Sequence, residues 1–220
     1  MLGWNVPKHH IWFGIMRFAD GVFSTRKGNV IRLEQLMDEG KKRAYDIVNE
    51  KNPDLSVEEK DNIAEIVGVG AIKYADLSQN RQSPIIFEWD KILSFEGNTA
   101  PYLQYSYARI QSILRKAESE GKGIDFTKTI LIKTPQERAL ANHIAAFPMA
   151  VIKASETFKP NVIADYLFEL AKKFNSFYNS CPILNQEDEI LFSRGLLAKV
   201  AGETIKDGLD LLGIKTLERM

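Results

Sequence analysis

Sulfur and imidazole chemistry are nearly absent from this sequence. Cys181 is its single cysteine, so no disulfide forms within the chain and no cysteine cluster holds a metal. That usage fits a reducing compartment. The three histidines, His9, His10 and His143, fit neither an H-E-x-x-H spacing nor a local Ser/His/Asp or Cys/His set. No apolar run approaches the length of a bilayer span, and the stretch after Met1 is too polar and interrupted for a signal peptide. The expected location is the cytoplasm. A surplus of either charge is also missing, with Lys+Arg 29 against Asp+Glu 29 and a formal net charge of +0. This argues against a general nucleic-acid coat protein, whose affinity rests on bulk positive charge, and leaves a local basic surface open. Internal repeats and low-complexity tracts are lacking too.

What is present reads as one short extended region followed by helices. The near-continuous apolar run His10-Ile11-Trp12-Phe13-Gly14-Ile15-Met16 predicts a strand buried on both faces. One such strand cannot bury itself. Its sheet partners are expected upstream, as if the chain were cut near the end of an α/β domain, with Trp12 and Phe13 left exposed or borrowed into a crystal or dimer contact. A turn at Ala19-Asp20-Gly21 leads to the polar loop around Ser24-Thr25-Arg26-Lys27-Gly28. Hydroxyls, two cations and a glycine after a strand suit a clamp for phosphate charge, and also an ordinary solvated loop.

From Val30 the pattern is helical. Leu33, Leu36, Met37, Ala44, Ile47 and Val48 share one face of a helix ending by Asn52-Pro53. Ser56 and Glu59 form a capping box for the next, with Ile63, Ile66, Val67, Gly70, Ala71 and Tyr74 turned inward. Gly68-Val69-Gly70 follows no strand and breaks the phosphate-loop register at Lys73, so it reads as a close helix crossing. Residues 85–89 are expected extended, with Asp90 capping a short turn over 91–95. Further helices are predicted over 135–147, from Pro148 to about 158, over 162–178 and over 188–212, the last stopped by Gly213. Residues 98–220 therefore read as an antiparallel helical bundle. His143 and Cys181 read as packing residues, and surface carboxylates as partners of lysines at helical spacing, such as Glu118–Lys122.

One helix carries an unusual flank. Asn98 or Thr99 caps it and Pro101 occupies its first turn. Leu103, Tyr107, Ile110, Leu114 and Ala117 form its core stripe, while Tyr102, Tyr105, Arg109 and Lys116 fall on a second side. Two aromatics and two cations on one surface can stack on unpaired bases and hold phosphate. Half-buried boundary tyrosines beside solvated charges give the same pattern.

The segments FGIMRFADGVFSTRKGNVIRLEQLMDEG, AIKYADLSQNR, PYLQYSYAR, ADYLFELAKKFNSFYNS and the ending LLGIKTLERM together resemble arginyl-tRNA synthetases over essentially the whole chain. The resemblance implies a mainly α chain: an all-α anticodon-binding bundle preceded by the terminal strand and loop of an α/β class I catalytic domain. It divides the chain into the end of the catalytic domain (1–33), a helical stem-contact region (34–96) and the anticodon-binding domain (97–220). The family's Lys-Met-Ser-Lys-Ser loop falls on Val22 to Arg26, with both lysine positions replaced, by Val22 and Thr25. Ser24, Thr25, Arg26 and Lys27 are its candidates for the ATP phosphates. Tyr102, Gln104, Tyr105, Arg109 and Met220 are implied to bind the tRNA anticodon loop.

The family's enzyme uses ATP, with Mg2+, to form arginyl-adenylate and then transfers arginine to its tRNA. Its upstream His-x-Gly-His signature is not in this sequence. The chain alone is therefore expected to be inactive, to bind neither ATP nor arginine without the upstream catalytic domain, to need no membrane and to be monomeric. A stand-alone, non-catalytic helical module that binds tRNA or another protein is the alternative.

Overall fold

A computed structural model describes residues 7–18, 21–22, 32–122, 124–125 and 127–220. The Ser24, Thr25, Arg26 and Lys27 set lies outside the described residues.

The amino-terminal strand is shorter and later than its apolar run predicts. Strand β1 spans Met16–Phe18, and Ile11, Trp12, Phe13 and Ile15 before it are exposed, Phe13 at 81%. Apolarity does not suffice for a strand; pairing does, and pairing begins where a partner is available. That partner is β3, Ile85–Phe87, which runs parallel to β1 with Met16 opposite Ile85. Strand β2, Gly21–Val22, pairs antiparallel on the other edge, giving the order β2-β1-β3. One sheet partner therefore lies downstream, contrary to expectation. Ile85 and Phe87 face inward while Ile86 is exposed, so the sheet has one covered face here.

Helices α1 (Leu33–Lys51) and α2 (Val57–Leu77) form a hairpin. Ser56 Oγ accepts from Glu59 N, and the Glu59 carboxylate accepts from Ser56 N, closing the predicted box. At the crossing, a Cβ on Gly68 would stand 2.6 Å from the carbonyl carbon and oxygen of Gly40. Only glycine lets the two backbones approach this closely. Lys60 is buried at the base of the hairpin, where its ammonium donates to Asn49 Oδ1 at 2.9 Å and to the Pro53 carbonyl at 2.7 Å.

A short helix α3, Trp89–Ile92, follows β3. Asp90 lies inside its first turn and does not cap it; Glu88 is the flanking residue and pairs with Lys91 at 2.7 Å. Beyond it come α4 (Ala100–Ser119), α5 (Pro135–Ala145), α6 (Phe147–Thr157), α7 (Asn161–Ser180) and α8 (Asp188–Leu211). Prolines at the first turns of α4, α5 and α6 and hydroxyl caps at Thr99 and Thr134 place these helices as predicted. The Glu118–Lys122 pair does not form. Helix α4 stops at Ser119, and the Lys122 amide folds back onto the Ala117 carbonyl at 3.0 Å.

Two cores result. The larger is walled by α4 to α8, with Leu103, Ile110, Leu140, Leu167, Phe174 and Ile205 fully enclosed. The smaller sits in the hairpin, around Ala44, Val48, Ile63, Val67 and Leu93. Helix α2 contributes Val67 and Ala71 to the smaller core and Tyr74 to the larger. Gly213 ends α8 at a φ of +68°, and Ile214 N returns to the Leu209 carbonyl at 2.9 Å. This turns the remaining residues back across α2 and α4.

Candidate nucleic-acid interface

The register of α4 is fixed at its start. Thr99 Oγ1 accepts from Tyr102 N at 3.3 Å and donates to the Ser94 carbonyl at 2.6 Å. The Tyr74 hydroxyl, rooted in α2, donates to Asn98 Oδ1 at 2.6 Å. Burial drives the Tyr74 phenol far above its ordinary pKa, so it remains a neutral donor. With this start held, the α4 flank faces α7.

Three of the predicted residues come together there. Tyr102 lays its ring edge against Phe168, and its hydroxyl accepts from Asn175 Nδ2 at 2.7 Å. The other end of the same amide, Asn175 Oδ1, accepts from Arg109 Nη1 at 3.2 Å. Arg109 Nη2 donates to the Tyr105 hydroxyl at 3.3 Å. The guanidinium carbon stands 4.8 Å from the Tyr105 ring centre and 5.9 Å from that of Tyr178. Tyr105 also meets Phe95 and Tyr178 also stacks on Phe174, yet the two tyrosines remain 40% and 38% exposed, so part of each faces solvent. Arg109 has neutral hydrogen-bond partners only, among the described residues. Lys116 is exposed two turns further along the helix.

Met220 reaches the same place from the far end of the chain. A cavity of about 470 Å³ lies between α1, the α3–α4 turn and the carboxyl-terminal residues, with Lys51, Phe95, Tyr105 and Met220 in its lining. Phe95 meets Tyr105 edge-on at 6.3 Å, and the Lys51 ammonium stands 5.4 Å above the Phe95 ring. An adjoining cavity of about 600 Å³ shares Lys51, Phe95 and Glu96 and extends to Arg43 and Trp89. Arg43 stacks over Trp89 at 5.2 Å. Acidic Asp46, Glu50 and Asp90 also line this second cavity, so it is less suited to phosphate than the Arg109 surface.

Gln104 does not belong to the exposed set. Its residue is wholly enclosed, pointing between α2 and the carboxyl-terminal segment, because position 104 of this helix falls on the core side beside Leu103. Asn175, Phe168 and Tyr178, by contrast, were not singled out in the sequence. All three sit on α7, with Asn175 and Tyr178 three residues apart on one face. That spacing was legible, but only the packing of α7 on α4 gives it meaning.

His143 and Cys181 are both packed against neighbours. His143 stacks on Tyr166 with ring centres 4.5 Å apart, and Tyr166, whose pKa burial pushes up to about 12, donates to the His143 carbonyl. Cys181 is buried with its sulfur 3.3 Å from Thr134 Oγ1. Among the described residues no group of three acidic, cysteine or histidine side chains could hold a metal. No described helix is long and apolar enough to cross a membrane.

Residues 103–220 match the family model of the DALR anticodon binding domain, and residues 3–89 that of the class I (R) tRNA synthetase catalytic domain. The chain is 66% identical over its full length to an arginine–tRNA ligase of Fusobacterium nucleatum, covering 39% of that protein. It is 49% identical, over 98% of its length, to the corresponding ligase of Photobacterium profundum, of which it covers 37%. Among solved structures, arginyl-tRNA synthetase of Thermus thermophilus superposes with a TM-score of 0.84 at 34% identity, over 96% of this chain and 35% of that one. The enzyme of Plasmodium falciparum gives 0.77 at 30% identity, over 94% of this chain and 34% of that one. The chain thus spans little more than a third of the length of these relatives.

Proposed function

Since the chain belongs to the DALR anticodon-binding family and joins that domain to the end of an arginine-type class I catalytic domain, we propose that it is the tRNA-reading part of an arginine–tRNA ligase. The complete enzyme activates arginine with ATP and Mg2+ and passes it to the tRNA 3′ end in the cytoplasm, acting as a monomer. Residues 1–33 complete its catalytic domain, 34–96 contact the tRNA stem and 97–220 hold the anticodon loop. Without the rest of the catalytic domain, this chain forms no adenylate. Ser24, Thr25, Arg26 and Lys27 take the ATP-phosphate role by family resemblance.

The observation that carries the reading is the meeting of Tyr105, Arg109 and Tyr178 beside a cavity walled by Met220. Splayed bases stack on the half-open phenol rings, and Arg109, without a carboxylate partner among the described residues, meets phosphate or a base edge. Tyr102 orients the array through Asn175. Gel-shift titration with cognate and anticodon-swapped tRNA tests this. Tyr105→Ala weakens cognate binding by about 1–3 kcal/mol, the usual worth of one stacked base, while its melting temperature stays near that of the wild type. Equal affinity with a lowered melting temperature returns Tyr105 to a packing role.

A further inference from the structure

The residues after α8 have little secondary structure of their own, yet they end in a defined place. Three side chains, each a donor, hold them by main-chain carbonyls. Lys73 Nζ on α2 donates to the Gly213 carbonyl at 2.6 Å. Gln104 Nε2 on α4 donates to that of Lys215 at 2.8 Å, and Arg115 Nη2 to that of Glu218 at 3.0 Å. Bonds to carbonyls fix the path of a segment independently of its own side chains.

The three are unequal. Lys73 and Arg115 bond in exposed settings, where water competes for the same carbonyls. Gln104 is 0% exposed. Its two neighbouring acceptors, the Lys215 carbonyl and the Ile66 carbonyl at 3.4 Å, both require a donor, which settles which end of the amide faces them. Its Oε1 is buried with no hydrogen-bond partner. Burying an unsatisfied acceptor is costly, so an apolar residue of similar shape would be the cheaper filling. Gly70 makes room for the amide: a Cβ there would stand 2.8 Å from Nε2.

We propose that Gln104 is a positioning residue for tRNA recognition: its enclosed amide latches the carboxyl-terminal segment to α2 and α4 and thereby sets Met220 in the wall of the cavity that Tyr105 also lines. This deepens the proposed function and rests on it for the role of Met220. The latch itself does not depend on tRNA.

The test uses the full chain and Gln104→Met, which keeps length and removes the donor, alongside Met220→Ala and the double variant. Hydrogen exchange of the amides at 214–220 is read first. Gln104→Met accelerates it at least about tenfold relative to wild type, with exchange in α7 and α8 unchanged. Binding of cognate tRNA transcript is read second. Each single variant weakens it about tenfold, and the double variant is no weaker than the weaker single, because both act through one contact. Unchanged exchange at 214–220 overturns the latch. Faster exchange throughout α7 and α8 also overturns it, because that reports general destabilisation. Additive losses in the double variant overturn the route through Met220. If the wild-type chain bound no tRNA, the functional reading would fall, while the exchange result would still decide the latch.

Discussion

Glu137 offers the sharpest test of the energetics of the bundle. Its carboxylate is 2% exposed and accepts three hydrogen bonds. One oxygen takes the amides of Lys133 and Thr134 at 2.6 and 2.8 Å, finishing the cap of α5, and the other takes Arg194 Nε of α8 at 2.8 Å. Burial alone would raise this carboxyl; the bonds from Arg194 and the two amides outweigh it and hold the pKa below the ordinary 4.5. Glu137→Gln keeps the volume but has a single acceptor oxygen, so either the cap or Arg194 Nε loses its acceptor, and Arg194 keeps only the Pro182 carbonyl among the described residues. A lost charge-assisted bond together with an uncompensated, nearly buried cation costs about 3 kcal/mol. At about 2–4 °C per kcal/mol for a chain of this size, the melting temperature falls by about 6–12 °C.

Urea denaturation, which leaves ionic strength constant, should show a lower midpoint at an unchanged slope. The pH dependence follows from the direction of the shift. A depressed folded pKa supplies stability that is present above the unfolded value near 4.5 and is lost as pH falls through the folded pKa. The difference between wild type and Glu137→Gln must therefore be full at neutral pH and shrink in acid. A variant within about 0.5 kcal/mol of wild type at pH 7, or a difference that grows in acid, would refute the reasoning.

Two further outcomes follow from other contacts. Gly68→Ala improves intrinsic helix propensity by about 1 kcal/mol, yet its Cβ meets the Gly40 backbone, which cannot rotate away. A net loss of about 1–3 kcal/mol in urea is expected, and a stabilised variant would show the crossing to be looser than described. Arg109→Lys keeps the charge but loses the planar fork shared between Asn175 and Tyr105. Cognate tRNA affinity in filter binding should drop about tenfold, with stability within about 1 kcal/mol; unchanged affinity would reduce Arg109 to a point charge.

The helices were legible because their ends are written locally. Ser56 with Glu59, Thr134 with Glu137, and Gly213 each satisfy terminal backbone groups within a few residues. The strand was not, since the run from Ile11 to Met16 has the composition of a buried strand while its pairing depends on Ile85–Phe87, about seventy residues away. The candidate flank was half legible. Periodicity put Tyr102, Tyr105 and Arg109 on one side of α4, whereas Gln104 entered the set by family resemblance alone and lies enclosed on the core side of the helix. Tyr178 and Asn175 needed the contact between two helices, which no local pattern records.

Because α2 gives Val67 and Ala71 to one core and Tyr74 to the other, loss of this helix removes a wall from both. The helix acts as a common spine, so hydrogen exchange in the two halves is expected to rise together when α2 loosens.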